Sequence, residues 1–148
     1  MKDCLGKITL ASRHLLGLIN EVLDMAKIES GNIGLSEEDF DLSESVESLL
    51  SIITPQVNAK HQNLKVDIAD IEHEHVVGDP MRLQQVFVNI MGNSIKFTPE
   101  GGTVSLHIRE LSSRLPGTAC YEFVFEDTGC GMSEEFVKRV FEPFSRAN

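Results

Sequence analysis

The most informative part of this sequence is residues 79–98, which read DPMRLQQVFVNIMGNSIKFT. Asp79 and Pro80 form a good helix start, because aspartate accepts hydrogen bonds from first-turn amides and proline suits the first helical position. Apolar residues, among them Phe87 and Met91, then recur at steps of three and four. This spacing predicts an amphipathic helix.

The same helix carries two amide side chains four residues apart, Asn89 and Asn93. Residues at this spacing share one helical face, so we expect both amides on a semi-buried face where they need partners. An amide carbonyl is a hard oxygen ligand of the kind that Mg²⁺ takes when it also binds phosphates. Lys96 lies one turn beyond Asn93 and is placed to meet the same phosphates. The alternative is that both asparagines cap nearby backbone and that Lys96 is a solvated surface residue.

A second polar motif, EDTGCGM at residues 126–132, directly follows a predicted strand. An acidic residue at a strand end, followed by Gly129 and Gly131, suits a loop that approaches a flat ligand closely. The carboxylate of Asp127 can accept a hydrogen bond from an exocyclic amino group such as that of adenine. The alternative is an ordinary turn between a strand and a helix, since Asp-Thr-Gly is common turn chemistry.

The rest of the chain supplies further helices and strands around these two motifs. A capping box at Asp41 starts a helix that runs to about Lys60, and Ser133 caps a short one. Alternating apolar and polar residues predict strands at 33–35, 64–68, 76–77, 103–109 and 121–126. The fold class is therefore α+β, a two-layer sandwich with a mostly antiparallel mixed sheet, preceded by one long helix.

That long helix spans residues 3–29 and ends before Gly31. Its apolar residues form a wide stripe, which would make an isolated helix poorly soluble. The stripe indicates a partner helix, either in a second molecule or upstream of this chain. Packing on its own domain is the alternative.

Composition excludes some classes of function. The 13 basic and 23 acidic residues give a net charge of −10, which disfavours a nucleic-acid partner because phosphate-tracking surfaces need clustered Lys and Arg. The three cysteines, Cys4, Cys120 and Cys130, lack metal-ligand or redox spacing and indicate a reduced cytosolic protein. No apolar run approaches the roughly 18 residues of a membrane span, so we expect a soluble chain. A membrane anchor elsewhere in a longer parent stays open.

Four motifs together resemble those of sensor histidine kinases. Residues 79–102 resemble the N box of that family, and residues 127–132 resemble its first glycine box. FEPF at 141–144 resembles the F box, and MAKIESG at 25–31 resembles the end of the second helix of the dimerisation hairpin. The resemblance covers essentially the whole chain.

The resemblance implies the ATP-binding sandwich shared by gyrase, mismatch-repair, cytosolic chaperone and histidine kinase ATPases. It implies that Asn93 holds Mg²⁺ and that Asp127 recognises adenine. The glycines would shape the base pocket and the root of a mobile lid, which the two phenylalanines would anchor or close. The implied ATP-binding residues are Asn89, Asn93, Lys96, Asp127, Gly129, Gly131, Phe141 and Phe144.

The resemblance also implies what lies outside the chain. The family's acceptor histidine precedes an acidic residue and a nearby proline, and none of the five histidines fits this pattern. His14, followed by two leucines, is therefore not expected to accept phosphate, and we expect the acceptor upstream. His73 and His75 flank Glu74 in a loop, where a metal pair is an alternative to simple solvation. The family's second glycine box is missing, so we expect an incomplete sandwich, an inactive fragment and weak or no nucleotide binding.

We thus interpret residues 1–31 as the second helix of the dimerisation hairpin and residues 32–148 as a partial ATP-binding domain. The expected function is the ATP-binding part of a two-component sensor histidine kinase, a cytoplasmic domain that feeds a phosphorelay. Its expected cofactors are ATP and Mg²⁺, and its expected partners are a second copy through the hairpin and a response regulator receiver domain. One alternative is a non-catalytic nucleotide-binding or dimerisation module. A gyrase- or chaperone-type ATPase is disfavoured by MAKIESG and by the short distance from Asn93 to Asp127.

Overall fold

The computed structural model describes residues 1–147, which divide into two compact units. One unit comprises residues 1–34 and 139–146, and the other comprises residues 35–138 with Ala147. The helices and strands are α1 (Lys2–Glu29), β1 (Glu38–Asp41), α2 (Leu42–Ala59), β2 (Asn63–Ala69), β3 (His75–Gly78), α3 (Pro80–Phe97), β4 (Thr103–Leu111), β5 (Cys120–Asp127) and α4 (Glu134–Val137). The α+β class predicted from the sequence is confirmed.

Helix α1 has the predicted length, and Gly31 follows it with a φ of 71°, a left-handed conformation that glycine adopts without strain. Its large apolar side chains from Leu5 to Leu23 are all between 44% and 70% exposed. The stripe that the sequence predicts is therefore real and uncovered. Among the described helices, α1 included, none combines the length and the hydrophobicity that crossing a membrane requires.

The larger unit contains a three-stranded mixed sheet in the order β2-β4-β5. β4 pairs antiparallel with β5 as a hairpin, as predicted, and parallel with β2. The parallel pairing is possible because helix α3 lies between β2 and β4 in the chain and provides the crossover. A separate two-stranded ribbon joins β1 and β3 antiparallel.

The core of this unit lies between the sheet and the helices α2 and α3. Alternate residues of β4 face it, and Val104, Leu106 and Ile108 are at most 1% exposed. Phe87 of α3 packs on the sheet, with its ring centroid 4.6 Å from that of Phe123. The apolar contacts of the core include Leu49 and Ile53 of α2 and Met91 and Ile95 of α3, all 4% exposed or less.

Three predicted helix starts are confirmed by their hydrogen bonds. The side chains of Asp41, Asp79 and Ser133 accept from backbone amides three residues on, at 3.1, 3.0 and 3.2 Å. The predicted strand at 33–35 is wrong, because these residues form no strand and β1 begins at Glu38 instead. Strand β1, EDFD, has only one apolar residue, so its strand conformation comes from pairing with β3 rather than from local propensity.

Candidate functional site

Helix α3 presents its two asparagines to solvent. Asn89, Asn93 and Lys96 are all exposed, whereas Phe87 and Met91 on the same helix are buried. The expectation of a semi-buried face is wrong, because each asparagine lies two residues after a core residue and is therefore turned about 200° around the helix axis from it. The amides are thus free to meet a ligand that approaches from outside the core.

Lys96 stands near the end of the same helix. Its ammonium nitrogen lies 5.1 Å from the centre of the neighbouring Phe97 ring, within the range of a cation–π contact. The side chain is exposed and lies at the carbonyl end of α3, where a cation is favoured. This end of the helix is therefore a local positive spot on an acidic chain.

The glycine motif forms a tight loop after β5. One carboxylate oxygen of Asp127, Oδ1, accepts a hydrogen bond from the Gly129 amide at 2.9 Å. Thr128 ties the loop to β4, because its amide donates to the Thr103 carbonyl at 3.0 Å and its hydroxyl accepts from the Thr103 amide at 2.9 Å. Gly131 has a φ of 68°, which only glycine adopts at little cost. These hydrogen bonds tie the loop to β4 and join the Asp127 carboxylate to the loop backbone.

The glycine loop rests directly on the carbonyl end of α3. The Cys130 amide donates to the Phe97 carbonyl oxygen at 3.3 Å. A Cβ atom at Gly129 would lie 2.7 Å from that same oxygen and 2.7 Å from Asp127 Oδ1, distances that real Cβ atoms do not reach. Glycine is therefore required at position 129 for a close approach and not for its backbone angles.

A shallow hollow of about 370 Å³ lies at this junction. Its lining combines the end of α3 with the glycine loop and comprises Lys60, Lys96, Phe97, Thr98, Pro99, Thr128, Gly129 and Cys130. The structure thus brings the two sequence motifs together. Asn93 and Asn89 lie one and two turns back along α3, about 6 and 12 Å from Phe97 by helical rise.

Two residues at the junction were missed by the sequence analysis, Lys60 and Gln62. Lys60 donates to the carbonyl oxygens of Ile95 and Thr98, both at 2.7 Å, and Gln62 also donates to Thr98 at 2.7 Å. Neither residue stands near a motif in the sequence. A lysine at a helix end ordinarily indicates a cap of its own helix, so no sequence signal identifies these distant partners.

Phe141 and Phe144 belong to the other compact unit. Their side chains are 97% and 83% exposed, and Phe144 has a φ of 61°, which is unusual for a residue other than glycine. Their predicted role in a lid stays a prediction.

A larger hollow of about 1540 Å³ lies elsewhere on the sandwich and contains none of the predicted site residues. Two histidines, His73 and His75, are in its lining. His73 pairs with Glu110 and His75 with Asp41, at 2.7 and 3.2 Å. Since each histidine takes a different carboxylate, and the described residues contain no cluster of three metal-ligating side chains, the metal-pair alternative is not supported.

The His73–Glu110 pair fastens the loop between β2 and β3. Glu110 accepts from the backbone amides of Glu72 and His73 at 2.8 and 3.0 Å as well as meeting the imidazole. The hydrogen bond that the imidazole donates to Glu110, and then the charge of Glu110, raise the pKa of His73 above 6.5. The same contacts, with the imidazole first, lower the pKa of Glu110 below 4.5.

This pair predicts a pH dependence of stability. Because the pKa of His73 is raised on folding, its stabilisation is complete below pH 6.5 and is lost as the pH rises through the folded-state value. Because the pKa of Glu110 is lowered, its stabilisation is present above pH 4.5 and is lost as the pH falls through its folded-state value. Urea unfolding between pH 6.5 and about 8.5 should therefore show a steeper loss of stability in the unaltered protein than in Glu110→Gln. If stability fell equally steeply with pH in the two proteins, the pair would not be the source of the pH dependence, because all other histidines are common to both.

Comparison with known proteins extends these observations. Residues 78–148 match the family described as histidine kinase-, DNA gyrase B-, and HSP90-like ATPase. The sensory/regulatory protein RpfC of Xanthomonas campestris is 36% identical over 147 residues, which cover 99% of this chain and 20% of RpfC. The chain thus spans about a fifth of the length of this relative.

Two solved structures are similar in fold. The structure of histidine kinase ThkA in complex with response regulator protein TrrA matches with a TM-score of 0.70 and 20% identity, over 94% of this chain and 38% of that one. Full-length ShkA in complex with AMPPNP matches with a TM-score of 0.67 and 29% identity, over 82% of this chain and 25% of that one. Because the ThkA structure is only 20% identical in sequence, its similarity shows the fold alone.

Proposed function

Because residues 78–148 belong to the histidine kinase-, DNA gyrase B-, and HSP90-like ATPase family, and the chain is homologous to sensor histidine kinases, we propose that it is the ATP-binding part of a two-component sensor histidine kinase. The protein would autophosphorylate a histidine outside this chain and pass the phosphoryl group on. In that step the bond between the β–γ bridging oxygen and the γ-phosphorus breaks, a P–N bond to the histidine forms, and ADP leaves.

One observation supports the proposal most strongly. The glycine loop contacts the carbonyl end of α3, the helix that carries Asn89 and Asn93. The Phe97 carbonyl at the end of α3 accepts the Cys130 amide and leaves no room for a side chain at Gly129. An adenine held by Asp127 would therefore lie beside α3, with the phosphates running along the exposed face that carries the two asparagines. ShkA, to which the chain is similar, was solved with the ATP analogue AMPPNP, which supports a nucleotide as the ligand.

The proposed roles follow from charge and position. Asp127 would accept the adenine amino group, Asn89 would line the phosphate region, and Lys96 would neutralise phosphate charge. The contribution of these residues to phosphoryl transfer would be positioning and electrostatic stabilisation, not covalent chemistry. Gly131 would form the root of a lid.

The residues present fit Mg²⁺ as the accompanying ion. The described residues include no cluster of three acidic, histidine or cysteine ligands, so a metal held by protein side chains alone does not fit. An exposed amide such as that of Asn93 does fit Mg²⁺, which keeps several waters and is bound mainly through substrate phosphates. Asn93 would hold the ion, and the ion would supply charge neutralisation when bound.

The proposed partners are a second copy of the protein and a response regulator receiver domain. The uncovered apolar stripe of α1 supports the assignment of residues 1–31 to a dimerisation hairpin, because such a stripe needs another helix to cover it. ThkA, whose fold this chain shares, was solved with a response regulator. The three free, exposed cysteines agree with a cytoplasmic domain.

The proposal predicts that Asn93→Ala slows autophosphorylation. In the full-length natural protein, incubated with γ-labelled ATP and Mg²⁺, we expect an acid-labile, base-stable label and a rate at least about tenfold lower in the variant, the usual effect of weakening a metal site. Asn58→Ala, which replaces an exposed asparagine of α2, is the matched control and should keep the full rate.

Two outcomes would count against the kinase. A variant rate near that of the unaltered protein would remove Asn93 from the metal site. Nucleotide binding without any label in the unaltered protein would favour the alternative, a regulatory module that binds nucleotide or pairs with a kinase without catalysis.

A further inference from the structure

The last backbone carbonyls of α3 all accept hydrogen bonds. The last carbonyls of a helix have no partner within the helix and must find one elsewhere. The Ser94 carbonyl accepts from the Thr98 amide at 3.0 Å, which leaves those of Ile95, Lys96 and Phe97. All three carbonyls accept hydrogen bonds from groups outside α3, and among the described residues these groups belong to two segments.

The first segment is the turn that joins α2 to β2. The ammonium of Lys60 donates to the carbonyls of Ile95, Lys96 and Thr98 at 2.7, 3.1 and 2.7 Å. The amide nitrogen of Gln62 donates to Ile95 and Thr98 as well, at 3.0 and 2.7 Å. A positive charge here also meets the negative end of the helix dipole.

The side-chain amide of Gln62 is oriented to donate hydrogen bonds rather than to accept them. Its side chain is 7% exposed, and its own carbonyl oxygen is buried with no hydrogen-bond partner among the described residues. A buried acceptor without a partner is costly. The side-chain oxygen of Gln62 therefore stays without a partner, while the side-chain nitrogen donates two hydrogen bonds to the end of α3.

The second segment is the glycine loop. The Phe97 carbonyl, which Lys60 and Gln62 leave free, accepts the Cys130 amide and sits against Gly129. Lys60 and Gln62 together form what we call the clamp. The clamp and the glycine loop thus bind neighbouring carbonyls of one helical turn. Lys60, Gly129 and Cys130 also line the same hollow.

The turn that carries the clamp is itself fixed. His61 has a φ of 49°, and its carbonyl accepts from the Gly101 amide at 3.2 Å. Asn63 donates its amide to the Gly102 carbonyl at 2.8 Å. Lys60 and Gln62 therefore extend from a turn that is hydrogen-bonded to residues 101 and 102, and they donate to the last turn of α3.

We infer that Lys60 and Gln62 are positioning residues for recognition of the adenine base: they fix the end of α3, on which the loop from Asp127 to Cys130 rests. The inference rests on the proposed function, because it assigns the residues that aim a carboxylate already proposed to bind adenine. Lys60 and Gln62 touch no nucleotide in this scheme and act only through the loop.

The test compares binding of two nucleotides that differ in the base. In the full-length protein, isothermal titration calorimetry with ATP and with GTP measures affinity for the base separately from affinity for the phosphates. Lys60→Met removes three hydrogen bonds from the end of α3. We expect it to raise the Kd for ATP at least about tenfold and to change the Kd for GTP less than about twofold. Lys60→Arg should restore the preference for ATP, because it keeps the charge and the donors.

Controls separate positioning from stability. Lys65→Met replaces an exposed lysine of β2 and should change neither affinity. All titrations are made well below the melting temperature of each variant. If Lys60→Met does not fold, Gln62→Leu decides. We expect it to weaken ATP binding alone, by about threefold, a smaller effect than for Lys60 because the two lost hydrogen bonds come from a neutral group.

The outcomes distinguish this inference from the proposed function. An unaltered protein that binds neither nucleotide, or does not prefer ATP, overturns the proposed function and the inference with it. An unaltered protein that prefers ATP, with a folded Lys60→Met variant that keeps both the affinity and the preference within about twofold, overturns the inference alone.

Discussion

Replacing Asp127 by alanine is expected to weaken ATP binding roughly a hundredfold in the full-length protein. The carboxylate has two roles. Its Oδ1 atom accepts the Gly129 amide at 2.9 Å and so closes the loop, and the carboxylate is proposed to accept the adenine amino group. Alanine removes both hydrogen bonds, and the lost bond between adenine and the charged carboxylate alone contributes about 1.5 to 3 kcal/mol, which is roughly 10- to 150-fold in Kd.

The neighbouring carboxylate provides the control for Asp127. Glu126 follows the strand alternation and turns to the opposite face of the sheet, where its carboxylate lies 3.4 Å from His107. Glu126→Ala removes the same charge from the same segment and should leave the Kd for ATP within about twofold. Calorimetric titrations in which the two variants bind ATP equally well would show that Asp127 does not contact the base.

Gly129→Ala is expected to abolish measurable ATP binding and to lower the stability of the larger unit. A methyl group at this position would lie 2.7 Å from the Phe97 carbonyl oxygen and 2.7 Å from Asp127 Oδ1. The first atom is backbone at the end of a clamped helix and cannot move away cheaply. The loop must therefore lift off α3, which breaks the hydrogen bond from Cys130 and moves the Asp127 carboxylate.

Another glycine, Gly92, serves as the comparison, because it lines neither of the two hollows. Gly92 lies inside α3, between Asn89 and Asn93 in the sequence. A Cβ atom at Gly92 would meet nothing within 4 Å. Gly92→Ala should keep ATP binding and raise the stability by about 0.5 to 1 kcal/mol, since alanine is the better helix former. Thermal unfolding and ATP titration of both variants check the pair. Unchanged binding in Gly129→Ala would mean that the loop does not need its contact with Phe97.

The features predicted correctly from the sequence are those with a local cause. Asp79 and Pro80 mark a helix start through hydrogen bonds that reach only three residues, and the alternation of β4 and β5 is visible within each strand. The meeting of the asparagine helix with the glycine loop followed from a family resemblance. It was not derivable from spacing, because the contact joins Phe97 to residues about 30 positions away along the chain.

The features that were missed depend on distant partners. Strand β1 has little strand propensity and forms because β3 pairs with it. Lys60 and Gln62 find their acceptors 33 to 38 residues away, and nothing in their neighbours marks them. The exposure of Asn89 and Asn93 was mispredicted, because apolar residues on several sides of α3 concealed which side the sheet covers.

The most direct test is a structure of the full-length natural protein bound to Mg²⁺ and a non-hydrolysable ATP analogue. We expect the exocyclic amino group of adenine to lie within hydrogen-bonding distance of the Asp127 carboxylate, and the phosphates and the ion to lie along α3 at Asn93. A nucleotide bound instead in the larger hollow, lined by His75, Phe40 and Tyr121, would contradict this expectation.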